Sequence, residues 1–317
     1  MVTLGMRHVI FSLLLATLLA ATAPALAVKW GPQRLTFAGG PAGGSFDEVS
    51  KNTISRINAN LPEVALSYSI SGGSVENLRR INSAEADLGI VYAGDIFLGR
   101  IGRLPYDVRT YDRVLALAVL YEAPAQLMVR AGSNITSVQD LVGRRIAVGG
   151  IGSGAAAAAQ RYFTGLGLWD RIRPEFTGYQ DAISALAHNY VDAIWVFAGL
   201  PNPTVSQAAR SYPIRLLDLA EAAEQAELFA QYPFFTRTRI PAGIYSGINE
   251  PVETIGDFAV WVAGAHVSTE VIEKIMGAAH DTKPNETPLF TGHQGSITPL
   301  HPGADAFWQS QREPGTP

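Results

Sequence analysis

Three times along this chain a short apolar run passes into a glycine-rich turn and then into a helical period, and that repeated hand-over constrains the fold more than any other feature. Residues 35–37 read as a short buried strand, Gly39, Gly40, Gly43 and Gly44 fall in the loop after it, and residues 45–60 read as a helix. Residues 64–70 read as a second strand, with Gly72 and Gly73 in the turn and a helix over 74–83. Residues 145–148, the loop 149–154 and an alanine-rich helix over 155–165 repeat the pattern. Runs rich in apolar and β-branched residues predict further strands at 88–92, 114–120, 125–129, 193–197, 214–217 and 258–263. Helices are expected at 137–142, 181–188, 203–210, 221–229 and 269–279, and the polar, Pro/Gly-rich stretch 281–303 reads as loop. Ser45 and Ser74 are expected as N-caps, with Asp47 and Glu48 in a first turn where the helix dipole favours acids.

Alternating strands and helices imply parallel sheets covered on both faces. The 317 residues exceed what one core usually serves, roughly 250–300 residues. A break near Tyr121 and a return near 237–242 divide the chain into two α/β lobes, 28–120 plus 240–317 and 121–239, with a ligand cleft beyond the strand ends.

The N-terminus addresses the compartment. Arg7 and His8 form a short basic segment, residues 9–21 are apolar, and Ala25-Leu26-Ala27 has the small-x-small pattern of a signal peptidase site. Residues 1–27 are therefore expected to be a cleaved signal peptide, with the mature chain starting at Val28 in the periplasm. The uncharged stretch 9–28 also has the length of a retained anchor, against which Pro24 and the Ala-Leu-Ala site argue. An apolar fraction of 47% permits a sizeable core, and zero cysteines exclude disulfides, thiol chemistry and Cys-ligated metal. A net charge of −4 with dispersed basic residues gives no footprint for nucleic acid.

A helix start presents unpaired N–H groups and a partial positive charge, and glycine lets a ligand approach the backbone. One such loop is an ordinary tight turn. Three facing one cleft would bind carboxylates or phosphates without a cationic side chain. Residues 150–155 fit the loose G-x-G-x-x-A dinucleotide pattern with Asp170 downstream, but mid-chain, and no cofactor is expected. There is no G-x-S-x-G elbow, phosphate-loop lysine motif or H-E-x-x-H, so neither an enzyme nor a metal site is expected. Phe46, Tyr92, Tyr121 and Phe197 lie at strand ends, as cleft walls or as core. Lys51 and Arg130 are candidate counter-charges.

The stretches 71–78 (Ser-Gly-Gly-Ser-Val-Glu-Asn-Leu), 82–88, 137–149, 198–203, 232–234, 240–243 and 299–304 (Pro-Leu-His-Pro-Gly-Ala) resemble the TAXI solute receptors of tripartite ATP-independent periplasmic (TRAP) transporters. The resemblance covers nearly all of the mature chain. It implies an α/β, type II periplasmic-binding-protein-like fold whose two lobes, with mixed or parallel sheets, close on a small anionic solute such as glutamate, 2-oxoglutarate or another dicarboxylate. It further implies a monomer that delivers to the membrane subunits of an ion-gradient-driven transporter. Carried onto this chain, the ligand loops are Gly39, Gly40, Gly43, Gly44 and Ser45; Gly72, Gly73, Ser74 and Asn77; and Gly152, Ser153, Gly154 and Ala155. Tyr92, Tyr121 and Phe197 complete the set, with Ser74 and Ser153 expected to fix the carboxylates. Ala155 stands where the family often has Thr, Phe46-Asp47 where it has a tyrosine pair, and Tyr92-Ala93 where it has Gln-Ser. An ABC-type periplasmic binding protein, an enzyme and a ligand sensor on the same fold are the competing readings.

Overall fold

Two long antiparallel strands run through the middle of this protein and tie every other element to one sheet. The computed structural model describes residues 32–311 apart from 43, 106, 281–288, 291 and 294–296. The expected signal peptide, the start at Val28 and Gly43 lie outside the described residues. In chain order the strands are β1 (Gln33–Ala38), β2 (Val64–Ser69), β3 (Leu88–Tyr92), β4 (Val114–Arg130), β5 (Arg145–Ala147), β6 (Arg173–Glu175), β7 (Ala193–Phe197), β8 (Ile214–Leu216), β9 (Thr236–Ile240) and β10 (Val252–Gly264). The helices are α1 (Ser45–Asn60), α2 (Ser74–Asn82), α3 (Ala93–Arg100), α4 (Gly154–Gly165), α5 (Tyr179–Ala187), α6 (Pro203–Ser211), α7 (Ala220–Gln225), α8 (Leu228–Gln231), α9 (Thr269–His280) and α10 (Pro302–Ser310).

The sheet order is β2-β1-β3-β10-β4-β7-β5-β6, with β9 beside β10 and β8 beside β4. Only part of it is parallel: β1 with β3, and β5 with β6 and β7. β10 runs antiparallel to β3, β4 and β9, and β4 antiparallel to β7 and β8. Of the mixed or parallel sheets expected, the structure shows the mixed form, because β10 returns from late in the chain into the centre. The two strands expected at 114–120 and 125–129 are one. Val114 to Pro124 of β4 pair with β10, and Ala125 to Val129 pair with β7, so the predicted break near Tyr121 is a change of partner.

Helices cover this sheet with stripes set by their sequences. In α1, Phe46, Ser50, Thr53, Ile54 and Ile57 are buried, three and four apart, as one face of a 3.6-residue period requires. In α4 the run Ala155 to Ala159 is buried throughout, and the small side chains let this helix approach its neighbours closely. Ser45 and Ser74 do not cap their helices. Each is the first helical residue, and Gly44 and Gly73 hold the cap positions. Gly73 has φ +117°, a conformation that glycine adopts readily and serine does not.

The Pro-Leu-His-Pro-Gly-Ala stretch has a structural task. His301 is the N-cap of α10, with Nδ1 accepting from Gly303 N–H at 3.2 Å and Nε2 donating to the Val267 carbonyl at 3.0 Å. Burial lowers its pKa and so favours this neutral tautomer. A Cβ on Gly303 would stand 2.3 Å from the Thr269 carbonyl oxygen, so only glycine lets α10 close on α9.

Behind the cleft, charged groups tie α2, α3 and α4 together. Asp95 (α3) is fully buried and pairs with Arg161 (α4), itself 4% exposed. The other oxygen of Asp95 accepts from the Ser74 hydroxyl at 2.5 Å, and that hydroxyl accepts from Tyr92 N–H at 2.8 Å. The Arg161 guanidinium lies 5.7 Å from the Phe234 ring centroid. Leaving one member of such a buried pair alone costs about 3–5 kcal/mol. Asp257 of β10 completes the group, accepting from Gly94 and Phe258 N–H at 2.9 and 2.7 Å.

Asp257 should make stability pH-dependent. Burial, reinforced by the neighbouring Asp95 charge and opposed by the two N–H groups and Arg161, pushes its pKa from 3.8 up to about 8. Between those values the folded chain holds a proton that the unfolded chain has released, so this group's contribution falls as pH rises and levels off above about 8. Urea unfolding at pH 5 to 8 should show that decline in the natural chain. The D257N variant should show a smaller slope, even if its new amide hydrogens meet the Gly94 or Phe258 N–H and lower stability at every pH.

Candidate functional site

Each glycine loop leaves the carboxyl end of a strand and enters the start of a helix, and the three meet around Gly73. A Cβ there would stand 3.7 Å from Pro41 Cδ in the first loop, 3.7 Å from Ser153 Cα and 3.8 Å from Gly154 N in the third. Beside this junction opens a cleft of about 510 Å³, part of it open to solvent.

The structure brings most of the expected residues to this cleft. Gly44 and Ser45 line it from the start of α1, Gly72, Gly73 and Ser74 from the start of α2, and Ser153, Gly154 and Ala155 from the start of α4, with Tyr92 and Phe197 between them. Pro41, Gly149, Gly150, Gly178, Tyr179 and Ala198 also line it and are not among the expected ligand contacts, and Phe46, read from the sequence as wall or core, lines it too. Gly149 and Gly150 belong to the third loop and share its signal. Tyr179 opens α5 behind Gly178, the same hand-over again, but its strand β6 is only three residues long and leaves no readable period.

Other expected contacts do not stand among the described lining residues. A Cβ on Gly39 would lie 2.3 Å from the Tyr68 ring, and one on Gly40 would lie 2.6 Å from Phe46 Cβ, so both positions are closely packed. Asn77 is fully buried and braces the first loop, its amide reaching the carbonyls of Gly39 at 2.7 Å and Ile90 at 2.9 Å. Gly152, at φ +77°, shapes the outer turn of the third loop. The Tyr121 ring packs on Gly199, and its buried hydroxyl faces Ser45. The candidate counter-charges are engaged elsewhere: Lys51 pairs with Asp47 at 2.8 Å, and Arg130 donates to the Leu186 carbonyl at 2.6 Å.

The two serines expected to hold carboxylates have prior partners. Ser74 serves Asp95 and Tyr92 as described. Ser153 is the N-cap of α4, accepting from Ala156 N–H at 3.1 Å and keeping its own proton to donate. The aromatic side chains span the cleft. Tyr92 lies 4.9 Å from Phe46 and 5.0 Å from Phe197, ring centroid to centroid, and its hydroxyl donates to the Phe197 carbonyl at 2.8 Å. The Tyr179 hydroxyl reaches the same carbonyl at 3.3 Å and accepts from Phe197 N–H at 3.2 Å. Burial lifts the Tyr92 pKa well above 10 and that of Tyr179 to about 12, which keeps both as neutral donors.

The cleft therefore offers an anion the N–H groups of three helix starts, and no Lys, Arg or His stands among its described lining residues. Among the described residues no cluster of three or more His, Cys, Asp or Glu is arranged to hold a metal. What the arrangement can do is enclose and desolvate a small molecule between loops from both ends of the sheet.

A profile of the NMT1-like family matches residues 37–311. Among solved structures, MatC from Rhodopseudomonas palustris with bound malate aligns at a TM-score of 0.53 and 17% identity, over 78% of this chain and 83% of that one. The periplasmic binding protein BugD aligns at 0.51 and 14% identity, over 78% and 81%. At these identities the likeness speaks for the fold, and the mixed sheet with a cleft at its strand ends is the type II arrangement of two-lobed periplasmic binding proteins. With the family profile running from β1 through α10, the chain belongs to the NMT1-like family.

Proposed function

We propose that this chain is an extracytoplasmic solute-binding protein, which encloses a small organic anion and hands it to a membrane transporter. The observation that carries this reading is the meeting of three helix starts, from both ends of one sheet, around a cleft whose hydroxyls mostly serve the fold. Such a site orients and desolvates a ligand. Ser74, whose hydroxyl does meet the Asp95 carboxylate, has its oxygen held by Tyr92 N–H and that carboxylate held by Arg161, which supports binding without chemical change. The resemblance to TAXI receptors makes dicarboxylates the first class to try, and MatC with bound malate is a fold neighbour of that kind.

The receiving transporter divides two readings. The NMT1-like family match supports an ABC-type permease. The Ser-Gly-Gly-Ser-Val-Glu-Asn-Leu stretch and its companions support the TRAP reading. The basic and apolar segment before Val28 supports export with cleavage there.

The receptor reading is tested by closure. A Cβ on Gly154 would stand 2.4 Å from the Tyr92 ring and 2.6 Å from Ser74 Cβ, so G154V wedges the third loop away from the second. A ligand that binds only the folded chain raises Tm by mass action. The natural protein should show that rise with an organic anion recovered intact by mass spectrometry. G154V should still melt cooperatively but bind at least about tenfold more weakly, roughly 1.4 kcal/mol. A ligand returned chemically altered would refute the reading. In whole cells, delivery to an ABC permease predicts solute uptake that vanadate stops, whereas uptake that stops when the ion gradient is collapsed with ATP maintained would favour the TRAP reading. The intact mass of the periplasmic protein should correspond to a chain starting at Val28.

A further inference from the structure

A second cavity, of about 470 Å³ and partly open to solvent, lies between α3, α4 and the turn after α8. No described residue lines both this cavity and the cleft. We propose that it is a second binding site, independent of the solute cleft, for a small tetrahedral oxyanion of the phosphate or sulfate type. Arg103 and Arg161 hold the anion, and the Thr164 and Tyr232 hydroxyls complete its shell.

Arg161 is 4% exposed, so its donors have to find partners within the protein or in something bound to it. Asp95 takes one end of the guanidinium. Nε is buried and has no partner among the described residues. A buried N–H left in that state costs free energy until an acceptor reaches it. Arg161 also forms part of the wall of this cavity, so an oxyanion seated there meets the one strongly buried cation with a donor to spare.

The second cation comes from the loop that follows α3. Gly102, at φ +64°, turns the chain, and Arg103 N–H closes back on the Leu98 carbonyl at 2.8 Å. Its backbone is fixed beside the cavity, which Leu98 and Arg103 both line. The Arg103 guanidinium has neither a hydrogen bond nor an ion pair among the described residues. Thr164 lies three residues beyond Arg161 in α4, on the same side of the helix. Tyr232 is placed by ring contacts with Phe234 at 5.5 Å and Phe235 at 5.7 Å. Neither hydroxyl donates to another described residue, so each keeps its proton for a ligand.

Charge and geometry together set the ligand class. Asp95 offsets one of the two arginines, and no described lining residue is acidic, so the cavity keeps a positive charge. Guanidinium forks match the oxygens of phosphate and sulfate, and Arg is the side chain suited to a partly desolvated contact of this kind. The donors arrive from three separate segments, an arrangement that serves a tetrahedral anion better than a planar carboxylate.

Isothermal titration calorimetry of the full mature chain with inorganic phosphate and with sulfate, in Tris chloride, tests the site. The expected result is one-to-one binding of one or both anions with a Kd below about 1 mM. Substituting Arg161 would break the buried pair with Asp95, so the exposed Arg103 carries the comparison. R103A and R103E should keep the natural Tm and bind the anion at least about tenfold more weakly. Undiminished binding in both variants would put the anion elsewhere, the solute cleft included, and overturn the assignment. Failure of both anions to bind up to about 10 mM would leave the Arg161 Nε to water and overturn it as well.

Discussion

Arg161 reaches from α4 to Asp95 in α3 with both side chains almost wholly out of water, and the arrangement around the cleft follows from that pair. Asp95 orients Ser74, the first residue of α2, and Ser74 in turn takes the backbone N–H of Tyr92 at the end of β3. One buried carboxylate thus sets the start of the second helix, the end of a central strand and the position of the third helix. Two buried charges are costly to desolvate, and their attraction offsets that cost only when the geometry is held and the remaining lone pairs are satisfied. Here the serine hydroxyl satisfies Asp95, and the Phe234 ring covers the guanidinium. The pair is weak evidence for net stability and better evidence for specificity of position. Other placements of α4 against α3 would strand a charge.

Much of the fold was legible because it is local. The strand at 88–92, the helix at 45–60 and the glycine loops declare themselves through periodicity and through glycines at strand ends, and the structure puts all three loops at one cleft. What sequence could not supply is partnership over distance. Nothing near Ser74 announces that Asp95, twenty-one residues away, will claim its hydroxyl, because α3 is short, contains two glycines and follows β3 without a turn. The same limit hid the antiparallel centre of the sheet, since β10 pairs with β3 and β4 from more than a hundred residues downstream. Glu227 at φ +55° divides the single helix expected at 221–229 into α7 and α8, and nothing in the local propensities marks it.

The cleft shows a division of labour between main chain and side chain. Side-chain hydroxyls of Ser74, Tyr92 and Tyr179 hold the walls in place, and in the proposed binding role the backbone N–H groups at the helix starts are what a ligand would meet. Donors fixed by a helix need no rotamer ordering when a ligand arrives, so less conformational entropy is lost on binding than with a flexible Lys or Arg. The binding groups are also hard to change by substitution, because every residue type except proline carries the same N–H.

The central place of β10 also bears on how the chain is made. Its residues 252–264 fill the gap between β3 and β4, so a growing chain that has not reached them has β3 beside β1 and β4 beside β7 and β8, each with one bare edge. Contacts of such long sequence separation are slow to form, and their absence leaves the earlier elements without a stable arrangement. Synthesis from the N-terminus therefore cannot lock the fold step by step. The two halves of the sheet stay unjoined, each with an open strand edge, until this late stretch is available.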